Sequence, residues 1–115
     1  GTTQALVQNL GIYIRRLPRT HDIGARRYKI IYSHVPDGDN AFGQTDYHNE
    51  EMRFSRTLSP RATARVFLHE DIHAVLNEYK IEMVEDDIHR LANGLCASLQ
   101  ALGFYPLELK LADEP

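Results

Sequence analysis

Two long segments with helical periodicity, joined by a short connection, constrain the fold of this chain more than any other feature. Ser59 is suited to cap a helix and Pro60 to occupy its first position, and from there apolar side chains recur at intervals of three and four to about residues 79–80. A second repeat of this kind covers residues 84–102 and stops at Gly103, a residue type common at helix ends. Because so few residues separate the two repeats, they predict a hairpin of antiparallel helices.

The part of the chain before the helices carries the patterns of β-strands. Residues 27–33 are rich in β-branched and aromatic side chains, which is typical of a strand, and a cluster of turn-forming residues follows at 36–40. Two shorter runs, 43–47 and 51–57, flank a polar stretch and are best interpreted as a hairpin. Before these elements, the N-terminal segment has no pattern that decides between helix and strand.

These elements predict an α+β fold, in which a small antiparallel sheet of about three strands packs on the antiparallel pair of helices. With 115 residues, the chain is expected to form a single domain, residues 1–115, around one modest core. Residues 1–23 would form an N-terminal extension, and residues 104–115 a C-terminal tail whose apolar part packs back on the body. The single cysteine, Cys96, excludes an internal disulfide and is interpreted as a buried apolar side chain.

Composition and charge narrow the class of function. No apolar run approaches the length that spans a bilayer and no signal-peptide pattern is found, so we expect a soluble, cytoplasmic protein without a membrane partner. The net charge is −3, but residues 1–35 hold six basic side chains and one acidic residue, Asp22. The basic segment from Arg15 to Lys29 could contact nucleic acid, although it has few interleaved aromatic residues and a solvated basic edge is the commoner explanation.

The chemistry of the chain is concentrated in His69-Glu70-Asp71-Ile72-His73, in the middle of the first predicted helix. Imidazoles four residues apart lie one helical turn apart on the same face, a separation that suits two ligands of one tetrahedral zinc ion. The glutamate after the first histidine would point to the open side of the ion, where it could take a proton from a zinc-bound water. We therefore predict His69 and His73 as zinc ligands and Glu70 as the general base.

A catalytic zinc site needs a third protein ligand, and the start of the second helix offers two candidates. Glu85 lies three and seven residues before apolar positions of the stripe that faces the first helix, so its carboxylate can point inward. His89 would lie at a level closer to His73. Asp86 and Asp87 fall off the stripe and are expected to be solvated near the helix N-terminus.

Five segments of the chain resemble a known family. They are Gly43-Gln44-Thr45-Asp46-Tyr47, Leu58-Ser59-Pro60, Phe67-Leu68-His69-Glu70-Asp71-Ile72-His73-Ala74, Glu85-Asp86-Asp87-Ile88 and Leu91-Ala92-Asn93-Gly94-Leu95. Over roughly residues 24–103, the chain resembles the small zinc-peptidase-like proteins of phages and prophages, which are similar to the minimal gluzincin core of the ImmA/IrrE type. The resemblance implies a zinc ion on His69, His73 and Glu85, in the cytoplasm of a bacterium or of a phage-infected cell.

The resemblance also implies how a substrate is held, and it has one departure. An extended peptide would add as a strand to a sheet edge at 43–47, where Tyr47 would help to polarise the substrate carbonyl; as a partly buried strand aromatic, Tyr47 also fits a structural role. The residue after the catalytic glutamate is usually uncharged in zinc peptidases, and here it is Asp71. Since Asp71 is two positions from His69, we expect it to project to another side of the helix.

Three functions from different classes therefore compete. The first is a zinc metalloendopeptidase that hydrolyses a peptide or protein substrate, with Glu70 activating the water. The second is a catalytically inactive, zinc-stabilised interaction or regulatory module of phage origin, in which His89 or another protein group fills the fourth zinc position. A nucleic-acid-binding protein that uses the segment from Arg15 to Lys29 ranks last, because the aromatic residues interleaved with its basic side chains are limited to Tyr13 and Tyr28.

Overall fold

The computed structural model describes residues 14–33 and 42–111, so the predicted turn at 36–40 and both ends of the chain lie outside the described residues. The elements in these two ranges are, in chain order, β1 (Ile14–Arg16), β2 (Thr20–Ile23), β3 (Arg26–Ser33), β4 (Gly43–Asp46), β5 (Glu51–Ser55), α1 (Pro60–Glu78), α2 (Glu85–Ala101) and β6 (Glu108–Lys110). The fold is α+β, as predicted, with helices packed against a mixed sheet.

The main sheet differs from the predicted one in its size and in one pairing. Its four strands stand in the order β2-β3-β5-β4. The predicted hairpin of β4 and β5 is antiparallel, with Gly43 opposite Phe54 and Asp46 opposite Glu51. The central pair, β3 and β5, is parallel, so the sheet is mixed and not antiparallel throughout. The chain reaches the edge as β4 and returns as β5 beside β3, an order that the local pattern of side chains does not specify.

Part of the predicted N-terminal extension belongs to this sheet. β2 pairs antiparallel with β3 through a turn at Gly24, whose φ of 58° lies in the left-handed region that favours glycine. β1 pairs with β6 in a separate, parallel two-stranded sheet. This pairing brings the C-terminal tail back on the body with Leu109 and Leu111 buried, as expected from its apolar character.

The start of α1 and the end of α2 lie where the sequence predicts them, because both ends are capped locally. The Ser59 hydroxyl accepts a hydrogen bond from the amide of Ala62 at 3.1 Å, and Pro60 opens α1. α2 ends before Gly103, whose φ is 78° and whose amide donates to the carbonyl of Gln100 at 3.0 Å. Within the described ranges, neither helix is both long and apolar enough to cross a membrane.

α1 is the central element of the packing because it contacts two layers. One side packs on the sheet in a cluster that includes Tyr28, Met52, Phe54, Ala64 and Phe67. Another side packs on α2 in a second cluster, which consists of Leu68, Ile72, Ile88, Ala92 and Cys96. Cys96 is buried, as predicted.

The apolar faces of the two helices are narrower than their sequence repeats suggest. Val75 of α1 and Tyr79, which follows the last residue of α1, are 36% and 62% exposed, and Leu91 and Leu95 of α2 are also exposed. The buried positions of α2 are confined to one narrow stripe, since it meets the rest of the molecule mainly through α1. The spacing of apolar residues therefore identifies the helices correctly but overestimates how much of each is covered.

Candidate metal centre

The two histidines of the motif face the same point in space. His69 and His73 lie one turn apart on α1, with their Nε2 atoms 3.2 Å apart and their ring centroids 4.9 Å apart. Each side chain is largely covered, with exposed fractions of 13% and 23%. The predicted pairing of these imidazoles on one face of the helix is therefore present in the structure.

Glu85, the first residue of α2, completes the group. Its Oε1 atom lies 2.9 Å from Nε2 of His69, and its Oε2 atom lies 3.0 Å from Nε2 of His73. The burial of Ile88 against α1, one turn further on, holds this end of α2 against the histidines. The helices are antiparallel, as predicted, since Leu76 lines a cavity with Ile88 and the earlier Arg65 lines one with the later Asn93. The ring of His89 lies beside that of His69, so the expectation that it lies closer to His73 was wrong.

These three side chains could hold a metal ion. Each offers one ligand atom, and the three atoms lie within 4.8 Å of one another. Zinc bonds of about 2.1 Å at tetrahedral angles place neighbouring donor atoms about 3.4 Å apart, close to the observed separations. Three Lewis-basic groups whose lone pairs converge in this way need a shared cation or shared protons, so the donor set fits a divalent ion with affinity for imidazole and carboxylate.

His89, the alternative third ligand, is not part of the group. Its ring centroid lies 5.8 Å from that of His69, and its side chain is exposed. Among the residues that the structure describes, the donor group therefore consists of two imidazoles and the carboxylate of Glu85. The stripe of α2 allowed both candidates, and the structure brings Glu85 to the histidines.

Glu70 lies beside the group without belonging to it. It is only 4% exposed, and its Oε1 accepts a hydrogen bond of 2.7 Å from the hydroxyl of Thr45 in β4. The same hydroxyl is 3.3 Å from the backbone carbonyl oxygen of Glu70. A buried carboxylate held by a fixed donor keeps one orientation, which is what a general base requires.

Gly43 explains how β4 comes so close to the motif. A Cβ atom at this position would lie 2.6 Å from Cγ1 of Val66 and 3.3 Å from Cγ of Glu70. The sequence analysis predicts residues 43–47 as a substrate-binding edge but does not identify Gly43 or Thr45 as neighbours of Glu70. The usable signal was the alternation of a strand, which turns positions 43, 45 and 47 to the same face.

Tyr47 is anchored to α1 through its hydroxyl, which donates to the carbonyl oxygen of His73 at 3.3 Å. Burial, followed by the negative charge of Glu70, raises the pKa of the Tyr47 hydroxyl above its usual range. In this arrangement the side chain serves the structural role that the sequence left open. Its contribution to polarising a substrate carbonyl stays a prediction.

Asp71 points away from the group and pairs with β2. Its Oδ1 lies 2.8 Å from Nε2 of His21, and this hydrogen bond is the main reason that the pKa of His21 is raised. Asp22 also raises the pKa of His21 by its charge, whereas burial opposes both effects. Asp71 thus links α1 to β2, and among the described residues it is not part of the donor group.

Cavities border the donor group, and one of them lies beside β4. One, of about 390 Å³, is lined by β4 residues and by Glu70 and the three donor side chains. A second, of about 220 Å³, extends from His69 toward Phe42, Arg65 and Asn93. The donor group is therefore reachable from solvent along the sheet edge.

No family model, curated protein or solved structure matches the chain.

Proposed function

We propose that the protein is a zinc-dependent metallopeptidase in which His69, His73 and Glu85 bind the ion and Glu70 is the general base. The observation that carries the proposal is the placement of a buried, hydrogen-bonded carboxylate beside a three-membered donor group. Catalytic zinc sites in proteins have three protein ligands and keep one position open, whereas structural sites are closed by four. The exposed position of His89, outside the donor group, supports the catalytic alternative over the structural one.

Zinc, when bound, would polarise the substrate carbonyl and lower the pKa of a coordinated water to about 7. Glu70 would take the proton of the attacking water on its carboxylate and pass it to the amine of the departing peptide segment. Thr45 would keep the carboxylate of Glu70 in place during both transfers, since its hydroxyl donates to Oε1. Glu70 is 4% exposed, so its carboxylate has little contact with bulk water outside the cavities that it lines.

The substrate would be an extended peptide held at β4. In the main sheet β4 is an edge strand, paired on one side with β5. Its other edge borders the cavity that contains Glu70 and the donor group. An edge strand offers unpaired backbone groups to which a peptide can add as a further strand, with its scissile bond placed at the ion.

The proposal is tested by zinc content and peptide cleavage in four proteins. The wild type should bind about one zinc ion per chain and cleave members of a library of internally quenched peptides. His69→Ala should lose the zinc, and Glu70→Gln should keep it but lose at least about 100-fold in turnover, the usual contribution of a general base. His89→Gln is the matched control, because it removes a neighbouring imidazole outside the donor group and should keep the zinc.

Two outcomes would contradict the proposal. If the wild-type protein does not bind zinc stoichiometrically, the proposed metal centre is refuted. Cleavage by Glu70→Gln at the wild-type rate would show that the activity comes from elsewhere. If zinc binds stoichiometrically and no peptide is cleaved, the metal-stabilised interaction module is the better description.

A further inference from the structure

We infer that the site selects peptides with a carboxylate on the residue that follows the scissile bond, and that Arg65 is the residue that recognises it. The inference rests on the proposed function and concerns the cavity of about 220 Å³ on one side of the donor group. Its lining includes His69, Glu70 and Arg65, so it is continuous with the reaction site.

Arg65 is placed for this role by its position on α1. It lies four residues before His69, which puts it one turn, or about 6 Å, nearer the start of the helix on the same face. The side chain is exposed, and within residues 14–33 and 42–111 no hydrogen bond or ion pair engages its guanidinium. The planar fork of guanidinium donors matches a carboxylate in geometry.

The charges around the cavity favour an anion once the ion is bound. The carboxylates of Glu70 and Glu85 balance the two charges of a divalent cation, which leaves the guanidinium of Arg65 uncompensated. Among the described residues, no arginine or lysine lines the cavity of about 390 Å³ beside β4, or a third cavity of about 340 Å³ that borders His73 and Glu85. The positive charge is therefore confined to one side of the reaction site.

The direction of the bound peptide decides which of its residues meets Arg65. Along β4, Gly43 lies against Val66, Thr45 against Glu70, and the Tyr47 hydroxyl against the carbonyl of His73. This list of contacts shows that β4 and α1 run in the same direction. Antiparallel strand pairing is the commoner and slightly more stable arrangement, so a peptide added to β4 would run from the Tyr47 end to the Gly43 end.

In that direction the residues after the scissile bond lie toward the start of α1, where Arg65 lies. An extended chain advances about 3.3 Å per residue, so the first residue after the bond comes within reach of an arginine one helical turn away. The carboxylate can come from two sources, an acidic side chain on this residue or the free C-terminus of the peptide at this residue. Both offer the same chemistry to the guanidinium.

Binding of three hydroxamate probes tests the inference without requiring turnover. In each probe the zinc-binding hydroxamate precedes one residue, which is glutamate amide, glutamine with a free carboxylate, or glutamine amide. The first carries only the side-chain carboxylate, the second only the terminal one, and the third neither. We expect zinc-loaded wild type to bind at least one acidic probe about fivefold more tightly than the neutral one. The expected ratio is small because Arg65 is exposed, and an exposed ion pair contributes at most about 1 kcal/mol.

Arg65→Gln should reduce that ratio to about one while leaving zinc content and binding of the neutral probe unchanged. Arg61→Gln is the matched control: Arg61 lies one turn earlier on α1, is 69% exposed, pairs loosely with Glu108 at 4.0 Å and lines none of the cavities beside the donor group. It removes the same charge from the same helix and should keep the wild-type ratio.

The neutral probe separates failure of this inference from failure of the proposed function. Zinc-dependent binding of the neutral probe, lost in His69→Ala, would show that the metal centre works. Equal affinity of wild type for all three probes would then overturn the role of Arg65 alone, as would a ratio that Arg65→Gln leaves unchanged. Failure of every probe to bind zinc-loaded protein would overturn both.

Discussion

Replacing Thr45 by valine removes the hydroxyl that donates to Oε1 of Glu70 at 2.7 Å, with little change in the volume of the side chain. A hydrogen bond to a charged group contributes about 1.5–3 kcal/mol, and Glu70 is too deeply buried for water to replace the lost donor fully. The higher strand propensity of valine offsets a few tenths of a kcal/mol. We therefore expect the free energy of unfolding to fall by about 1–2 kcal/mol.

Urea unfolding of the protein measures this loss without any assumption about its activity. For a domain of this size the expected loss lowers Tm by roughly 5–10 °C, which a thermal scan resolves. Thr45→Ser keeps the hydroxyl and should recover most of the stability, whereas Thr20→Val, in an exposed position of β2, should be nearly neutral. If Thr45→Val unfolds at the wild-type urea concentration with an unchanged slope, the bond does not hold Glu70 and its proposed orienting role is refuted.

Two further changes test other parts of the structure. Gly43→Ala would place a Cβ atom 2.6 Å from Cγ1 of Val66 and should lower the free energy of unfolding by about 1–3 kcal/mol. Gly94→Ala, with no atom within 4 Å of the added Cβ, should instead stabilise α2 by about 0.5–1 kcal/mol. Urea unfolding of the two variants measures both effects. The pKa of His21 is raised above its ordinary value by the hydrogen bond to Asp71, so its contribution to stability is complete below about pH 6.5 and is lost as the pH rises through the folded pKa. The free energy of unfolding, measured between pH 5 and about 9, should decline in this way in wild type and change less with pH in His21→Gln. Identical pH profiles would show that His21 does not contribute this stability.

The helices could be predicted from the sequence because their signals are local. Ser59 caps α1 and Gly103 ends α2 through contacts with residues a few positions away, so the pattern alone contains the boundaries. The strand order could not be predicted in this way. Whether β5 pairs with β3 or only with β4 depends on where the chain crosses, and alternation of side chains marks a strand without naming its neighbours.

In the candidate site, too, the local arrangement could be predicted from the sequence and the non-local contacts could not. His69, Glu70 and His73 belong to one helix turn and its neighbour, so their mutual placement follows from helical geometry. Glu85 was identified as a candidate because it lies on the inner stripe of α2, but choosing it over His89 required the actual packing of the two helices. Thr45 reaches Glu70 from a strand 25 positions away, and no helical or strand pattern relates residues across that separation.

The three donor side chains come from two helices, and this division has a consequence for the whole molecule. α2 is held to α1 by a narrow buried stripe, Ile88, Ala92 and Cys96, while Glu85 joins the histidines of α1 at one end of that stripe. A cation bound there would cross-link the two helices. Its binding free energy would add to the free energy of unfolding of the helix pair. The concentration of available metal would then determine how stably α2 packs against α1, with or without catalysis at this site.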